Sequence, residues 1–145
     1  MATSSLRASA PRQGGIDAAL LVLRLTLGIL ILLHGLSKLP PPPAFVAGML
    51  VKMNLPSFIA YGVYLGEIVA PVLIIIGVWT RLAALVIVVN MLAALVLVHV
   101  PDLFHLGKSG GYALELQAMY LFSAVALMLS GAGRFSVGGR YGPMN

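Results

Sequence analysis

Residues 16–36 read IDAALLVLRLTLGILILLHGL, and residues 58–79 read FIAYGVYLGEIVAPVLIIIGVW. Both are apolar enough and long enough to cross a bilayer, which takes roughly 20 residues of helix. Each nevertheless carries an ionisable side chain well inside the run, Arg24 in the first and Glu67 in the second. Such groups are costly in lipid, so they usually face a bundle interior, find a partner and mark a functional site.

Two further apolar runs complete the pattern, and the expected spans are Ile16–Leu36, Phe58–Trp79, Leu82–Val100 and Tyr112–Gly131. Hydrophobic residues make up 60% of the chain and charged ones 9%, against about 45–50% and about 25% in soluble proteins. In 145 residues, four spans leave space for short loops and no soluble catalytic domain. The expected fold is all-α: an integral membrane four-helix antiparallel bundle with a short interfacial helix in the first external loop. A disordered N-terminal tail is expected over 1–15, the transmembrane domain over 16–137 and a C-terminal tail over 138–145.

Cysteine is absent, which excludes disulfide exchange, thiolate catalysis, iron–sulfur ligation and covalent c-type haem. The net charge of +5 is scattered over loops and tails without a basic run, so nucleic acid is not an expected partner. The N-terminal MATSSLRASAPRQGG has arginines but no apolar stretch, and reads as a tail rather than a cleaved signal. Four spans put both termini on one side with Arg7, Arg12, Arg81, Arg134 and Arg140. The other side carries Lys38, Lys52 and Lys108, so the positive-inside rule places both termini in the cytoplasm.

The first external connection, Pro40–Pro56, opens with four prolines, which favour an extended polyproline conformation and stop the first helix. AFVAGMLVKM then spaces Phe45, Met49, Leu50 and Met53 as a short interfacial helix would. The second, Pro101–Gly111, holds Asp102, His105 and Lys108 and ends in the flexible Ser109-Gly110-Gly111. The link at Thr80 and Arg81 is short enough to make spans two and three a hairpin.

On the first span Arg24, Gly28, Gly35 and Lys38 share one face, and the glycines permit close approach by another helix. On the second, Pro71 follows Glu67 by one turn and can kink the helix. A rise of about 1.5 Å per residue puts Arg24 and Asn90 about 12 Å deep and Glu67 about 18 Å from the same end. An Arg24–Glu67 pair with Asn90 nearby is therefore geometrically possible. It reads either as a structural ion pair that sets helix register or as a proton-relay or quinone-head-group site.

A second cluster, His34, Lys38, His99 and Glu115, gathers at the external ends of the spans. His34 and Glu115 are the better candidates there for a quinone carbonyl or proton exchange, with His105 and Lys108 read as interfacial anchors. His99 lies opposite Asn90 on a regular helical wheel, so both face inward only if the helix is broken. Isolated histidines without a ligand spacing assign no metal. The candidates for a quinone, lipid or proton-relay site are thus Arg24, Glu67, Asn90, His34, Lys38 and Glu115.

The segments LRLTLGILILLHGLSKL, GEIVAPVLIIIGVWTRLAAL and GAGRFSV resemble the DoxX family of small bacterial and archaeal four-helix membrane proteins. The resemblance runs from Ile16 to Val137. It is most specific at Arg24, Gly28, His34, Gly35 and Lys38, and continues at Glu67, Gly77-x-x-Thr80-Arg81 and Gly131-x-Gly133-Arg134. The family's aspartate after the last block is replaced here by Gly138-Gly139.

The resemblance implies a multi-pass protein of the bacterial or archaeal plasma (inner) membrane. It also implies a link to quinol oxidase or thiosulfate:quinone oxidoreductase complexes. The expected function is a membrane subunit of a quinone-linked redox complex, with a polar intramembrane quinone or lipid site and a docking surface. It has no autonomous catalytic motif and no covalent cofactor, and a bound quinone is the one cofactor-like ligand left open. Membrane lipids and protein partners in a complex are expected. The alternatives are a structural or assembly subunit and, less favoured for want of an internal repeat, a small-molecule or proton transporter.

Overall fold

The computed structural model describes residues 13–39, 44–107 and 110–145, and among them the chain is all-helical. Five helices follow one another: α1 (Gln13–Leu36), α2 (Ala44–Lys52), α3 (Ser57–Ile76), α4 (Thr80–Val98) and α5 (Glu115–Ser130). Three of them, α1, α3 and α4, are long and apolar enough to cross a membrane. The short helix expected from AFVAGMLVKM is α2. The expected fourth span is trimmed, because residues 112–114 form a turn and α5 begins at Glu115. Its 16 residues reach about 24 Å, short of the roughly 30 Å of a hydrocarbon core. Most of the expected 1–15 tail, with Arg7 and Arg12, lies outside the described residues, as do Pro40–Pro43, Lys108 and Ser109; Gln13–Gly15 already belong to α1.

α1 packs on α3 and α5, and α4 packs on the same two helices. The shared core is aliphatic, with Leu27, Ile31, Ile74, Ile87 and Leu127 all but fully buried and alanines filling the close approaches. Gly28 lies against the Pro71 carbonyl and Ile75, and Gly35 against the backbone of Glu67. These pairings run in opposite directions along the two helices, which makes α1 and α3 antiparallel and sets their register. A methyl group on Gly35 would fall 2.8 Å from the Glu67 Cβ, so glycine there is what allows the contact.

α3 is not uniform. It opens as a 3-10 turn at Ser57–Tyr61 and widens to a π turn at Leu65–Val69 around Glu67. Pro71 lacks an N–H and cannot satisfy the Glu67 carbonyl one turn earlier, so a regular α ladder is already interrupted there. π turns inside α-helices are frequent at functional sites.

At the other end of α3 the backbone accounting closes. Gly77, at φ 73°, ends the helix in a Schellman motif. Val78 N–H donates to Leu73 (3.1 Å) and Gly77 N–H to Ile74 (3.2 Å). Arg24 supplies the rest from α1. Its Nε donates to the Ile74 carbonyl and its Nη2 to Ile75, both at 2.9 Å. Its Nη1 donates to Ala132 (2.9 Å) and Phe135 (2.8 Å). Val137 N–H takes Ile76, and Gly138 N–H takes Gly77. One guanidinium thus joins α1, the end of α3 and the segment after α5, with the negative end of the α3 dipole as its counter-charge.

Residues 131–145 form a cap over this end. Asp17, 3% exposed, accepts from Arg140 in a bidentate pair (2.5 and 2.6 Å) and from the Arg134 N–H (3.0 Å). That hydrogen bond raises the Arg140 pKa further above its usual high value. The Asn145 side chain caps the N-terminus of α4 at Thr80 N–H (3.0 Å) and donates to the Gly77 and Gly139 carbonyls. The segment read as a C-terminal tail, 138–145, is therefore part of the packed structure.

Replacing Arg24 by methionine takes a charge-assisted bond from each of four carbonyls, of which Ile74 keeps the Gly77 N–H. Arg24→Met is expected to cost about 3 kcal/mol or more in stability, and Arg24→Lys a smaller amount. Thermal unfolding in detergent, followed by the emission of Trp79 beside the clamp, measures both.

Candidate functional site

Glu67 finds its partner at the opposite end of the helices from Arg24. Lys38, just beyond α1, donates Nζ to both carboxylate oxygens, at 2.6 and 2.7 Å. The Glu67 side chain is 4% exposed and that of Lys38 31%. The expected Arg24–Glu67 pair does not form, for two physical reasons. Glu67 lies opposite Gly35, eleven residues or about 16 Å along α1 from Arg24. Helical side chains also lean toward their own N-terminus, so on antiparallel helices these two lean apart. The aliphatic core of Leu27, Ile31 and Ile74 fills the interval.

Around the Lys38–Glu67 pair the structure opens a cavity of about 430 Å³, within the range of small-molecule sites. Four of the six candidate residues line it: His34, Lys38, Glu67 and Asn90. Arg24 is absent from it, being held in the clamp. Glu115 does not line it either; it is exposed at the start of α5 and lies against Gly111. Its chain neighbours Leu116 and Gln117 contribute instead, with Tyr120 one turn further on.

Asn90 is placed by glycine. Gly66 leaves its Cβ position to the Asn90 side chain, which so packs on the α3 backbone one residue before Glu67. The Asn90 Nδ2 is buried without a hydrogen-bond partner among the described residues. An unsatisfied buried amide costs about 1–3 kcal/mol, and Thr80 Oγ1, at the capped end, is likewise unpaired among the described residues.

His99 also lines the cavity, beside Asn90. A regular helix forbids that, but α4 ends at Val98 and His99 leaves it at φ −111°, ψ 9°. Its ring sits between Asp102 (Nδ1 to Oδ2, 3.4 Å) and Gln117 (Nε2 to Nε2, 3.4 Å). His105 turns away to the Pro101 carbonyl, at 2.7 Å. Gln117 and Tyr120 were not legible as site residues, because a polar residue near the end of an apolar run looks like any other interfacial one. Among the described residues no group of three His, Asp or Glu side chains is placed to hold a metal.

The fold and this site define a membrane protein built of apolar helices with a largely apolar cavity at one end that holds an ion pair. The DoxX family model matches residues 19–100. At 30% identity over 122 residues, 82% of this chain and 87% of the other, it is similar to an uncharacterised protein of Haemophilus influenzae. The chain belongs to the DoxX family. No solved structure matches it.

Removing Lys38 leaves a buried carboxylate unpaired. Lys38→Met is expected to cost about 2–3 kcal/mol at neutral pH, below the 3–5 of a wholly buried pair because Lys38 is partly solvated. The double variant Lys38→Met/Glu67→Leu should recover most of that loss, as read by thermal melting of all four members of the cycle.

Proposed function

We propose that this protein is a membrane subunit of a quinone-linked redox complex, and that its cavity holds the head group of a quinone or similar neutral amphiphile. In this reading α5 completes a four-helix antiparallel bundle across the plasma membrane, with the capped end and both termini in the cytoplasm. The observation that carries the reading is the partnerless amide of Asn90, a residue that lines a largely apolar cavity and brings its Nδ2 from Gly66 to that space by rotation of its side chain, next to a charge pair that neutralises itself.

A donor with nothing to donate to selects a ligand with an accepting oxygen. Lys38 and Glu67 already balance each other, so the site has no spare cation for a phosphate and no spare anion for an amine. A carbonyl fits that requirement, and His34, His99 and Gln117 offer further polar contacts at the mouth. The chain supplies no electron carrier of its own in this reading. It positions the head group, and a partner docked on the same membrane face takes two electrons from the bound quinol, whose two protons leave to water, or gives two electrons to the bound quinone, which takes two protons up.

Two experiments test this. Organic extraction of the protein, purified gently from native membranes, should yield a quinone. Asn90→Leu should reduce the retained amount about fivefold to tenfold, the worth of one hydrogen bond. If the protein carries no quinone, and its complex works unchanged with Glu67→Gln and Asn90→Leu, the Lys38–Glu67 pair is a register lock in an assembly subunit. For orientation, the cysteine-free background allows a single cysteine at Tyr141, 93% exposed. An impermeant thiol reagent should label it only after the membrane is opened from the cytoplasmic side.

A further inference from the structure

We infer that the ligand of this cavity is a long-tailed amphiphile. Its tail passes Asn90 into a second cavity, otherwise apolar, that opens sideways between α3 and α4. The inference rests on the head-group reading above and specifies the class of molecule it admits.

The second cavity also measures about 430 Å³. Val46, Val63, Asn90, Ala93 and Leu97 line both cavities, so the two meet across a single layer of side chains. Asn90 stands on that boundary, and it is the one polar side chain of the second cavity. Every charged residue and histidine of the pair of cavities lies on the first side. Polarity is therefore sorted along the path: ion pair, imidazoles and amide at one end, hydrocarbon at the other.

The far side of the second cavity is open. Ile59 and Leu65 of α3 and Leu85 and Val89 of α4 line it and are 44–58% exposed. On helices apolar enough to cross a membrane, such an opening faces acyl chains. Helix α2 closes the top with Val46 and the buried Leu50. A small polar ligand would leave this second space unused, and a plain hydrocarbon would leave the Asn90 amide unpaired. A carbonyl head on a long hydrocarbon tail uses both. An isoprenoid quinone and an ester-linked acyl lipid share that chemistry.

Gly62 provides the test. It lines only the second cavity, has helical φ of −57°, and a Cβ placed on it meets nothing within 4 Å. Gly62→Phe thus fills the tail path without touching the head-group residues, and Val89→Phe fills it from the opposite wall. The probes are a tail-free methoxy-substituted benzoquinone and its decyl homologue, titrated onto the full-length protein in nanodiscs of neutral phospholipid. Both variants should weaken the decyl probe by about tenfold, the value of roughly two buried methylenes, and leave the tail-free probe within about twofold.

Decyl binding that is unchanged in both variants, while Asn90→Leu weakens the tail-free probe about fivefold to tenfold, overturns the tail path and leaves the head-group site standing. Failure of wild type to bind either probe overturns both. Native mass spectrometry separates the two sources of the tail. Loss of bound quinone mass, or of bound phospholipid mass, on Gly62→Phe identifies the occupant. A bound mass that the variant retains in full counts against the path.

Discussion

The structure turns on a single guanidinium. Arg24 spends four N–H groups on four carbonyls from two distant stretches of chain. An arginine in an apolar segment needs compensation, and a carboxylate is only one way to provide it. Here the compensation is the carbonyl end of α3, where helix dipoles sum to a partial negative charge, together with the turn after α5. The same bonds that solvate the charge also finish the helix, so neither the arginine nor the helix end is left unsatisfied. Register between α1 and α3 follows from this anchor, and the glycine contacts higher up follow from the register.

With that end tied, the opposite end is free to be less regular. The π turn around Glu67, the non-helical His99 and the Asn90 amide lie at or toward the cavity, away from the clamp, with Pro71 midway between the two ends. Proteins tolerate such departures where surrounding structure holds them. The division of labour is spatial: a cap whose backbone groups are tied by Arg24, Asp17 and Asn145 at one end, with Thr80 Oγ1 its one unpaired side-chain atom among the described residues, and a cavity lined by an ion pair, histidines and an amide at the other.

The apolar runs, the short α2 and the inward face of α1 were all legible in the sequence, because hydropathy and glycine spacing act locally. So was most of the site, since His34, Lys38, Glu67 and Asn90 had been singled out as polar residues in apolar surroundings. The partner of Arg24 was not legible. Backbone carbonyls occur at every position, and nothing in a sequence distinguishes those left open by a helix end. The Asp17–Arg140 pair, 123 residues apart, was missed for a different reason. With only four acidic residues in the chain, asking each for a cation would have raised the question, although not its answer. Depth counting also misled: it measured Cα height along each span and ignored the opposite lean of side chains on antiparallel helices.

The clamp has a bearing on how the protein is made. Arg24 leaves the ribosome with α1, but Ala132 and Phe135 are synthesised more than a hundred residues later. The first helix must therefore enter the membrane with its arginine unsatisfied, at a cost of about 2.5–3.5 kcal/mol on insertion scales. The rest of that helix is apolar enough to bear it, with a mean hydropathy of 2.4 over its best window. Until residues 132–135 arrive, the helices are held without this fastening, and a chain cut short before them would reach the membrane but not complete its fold.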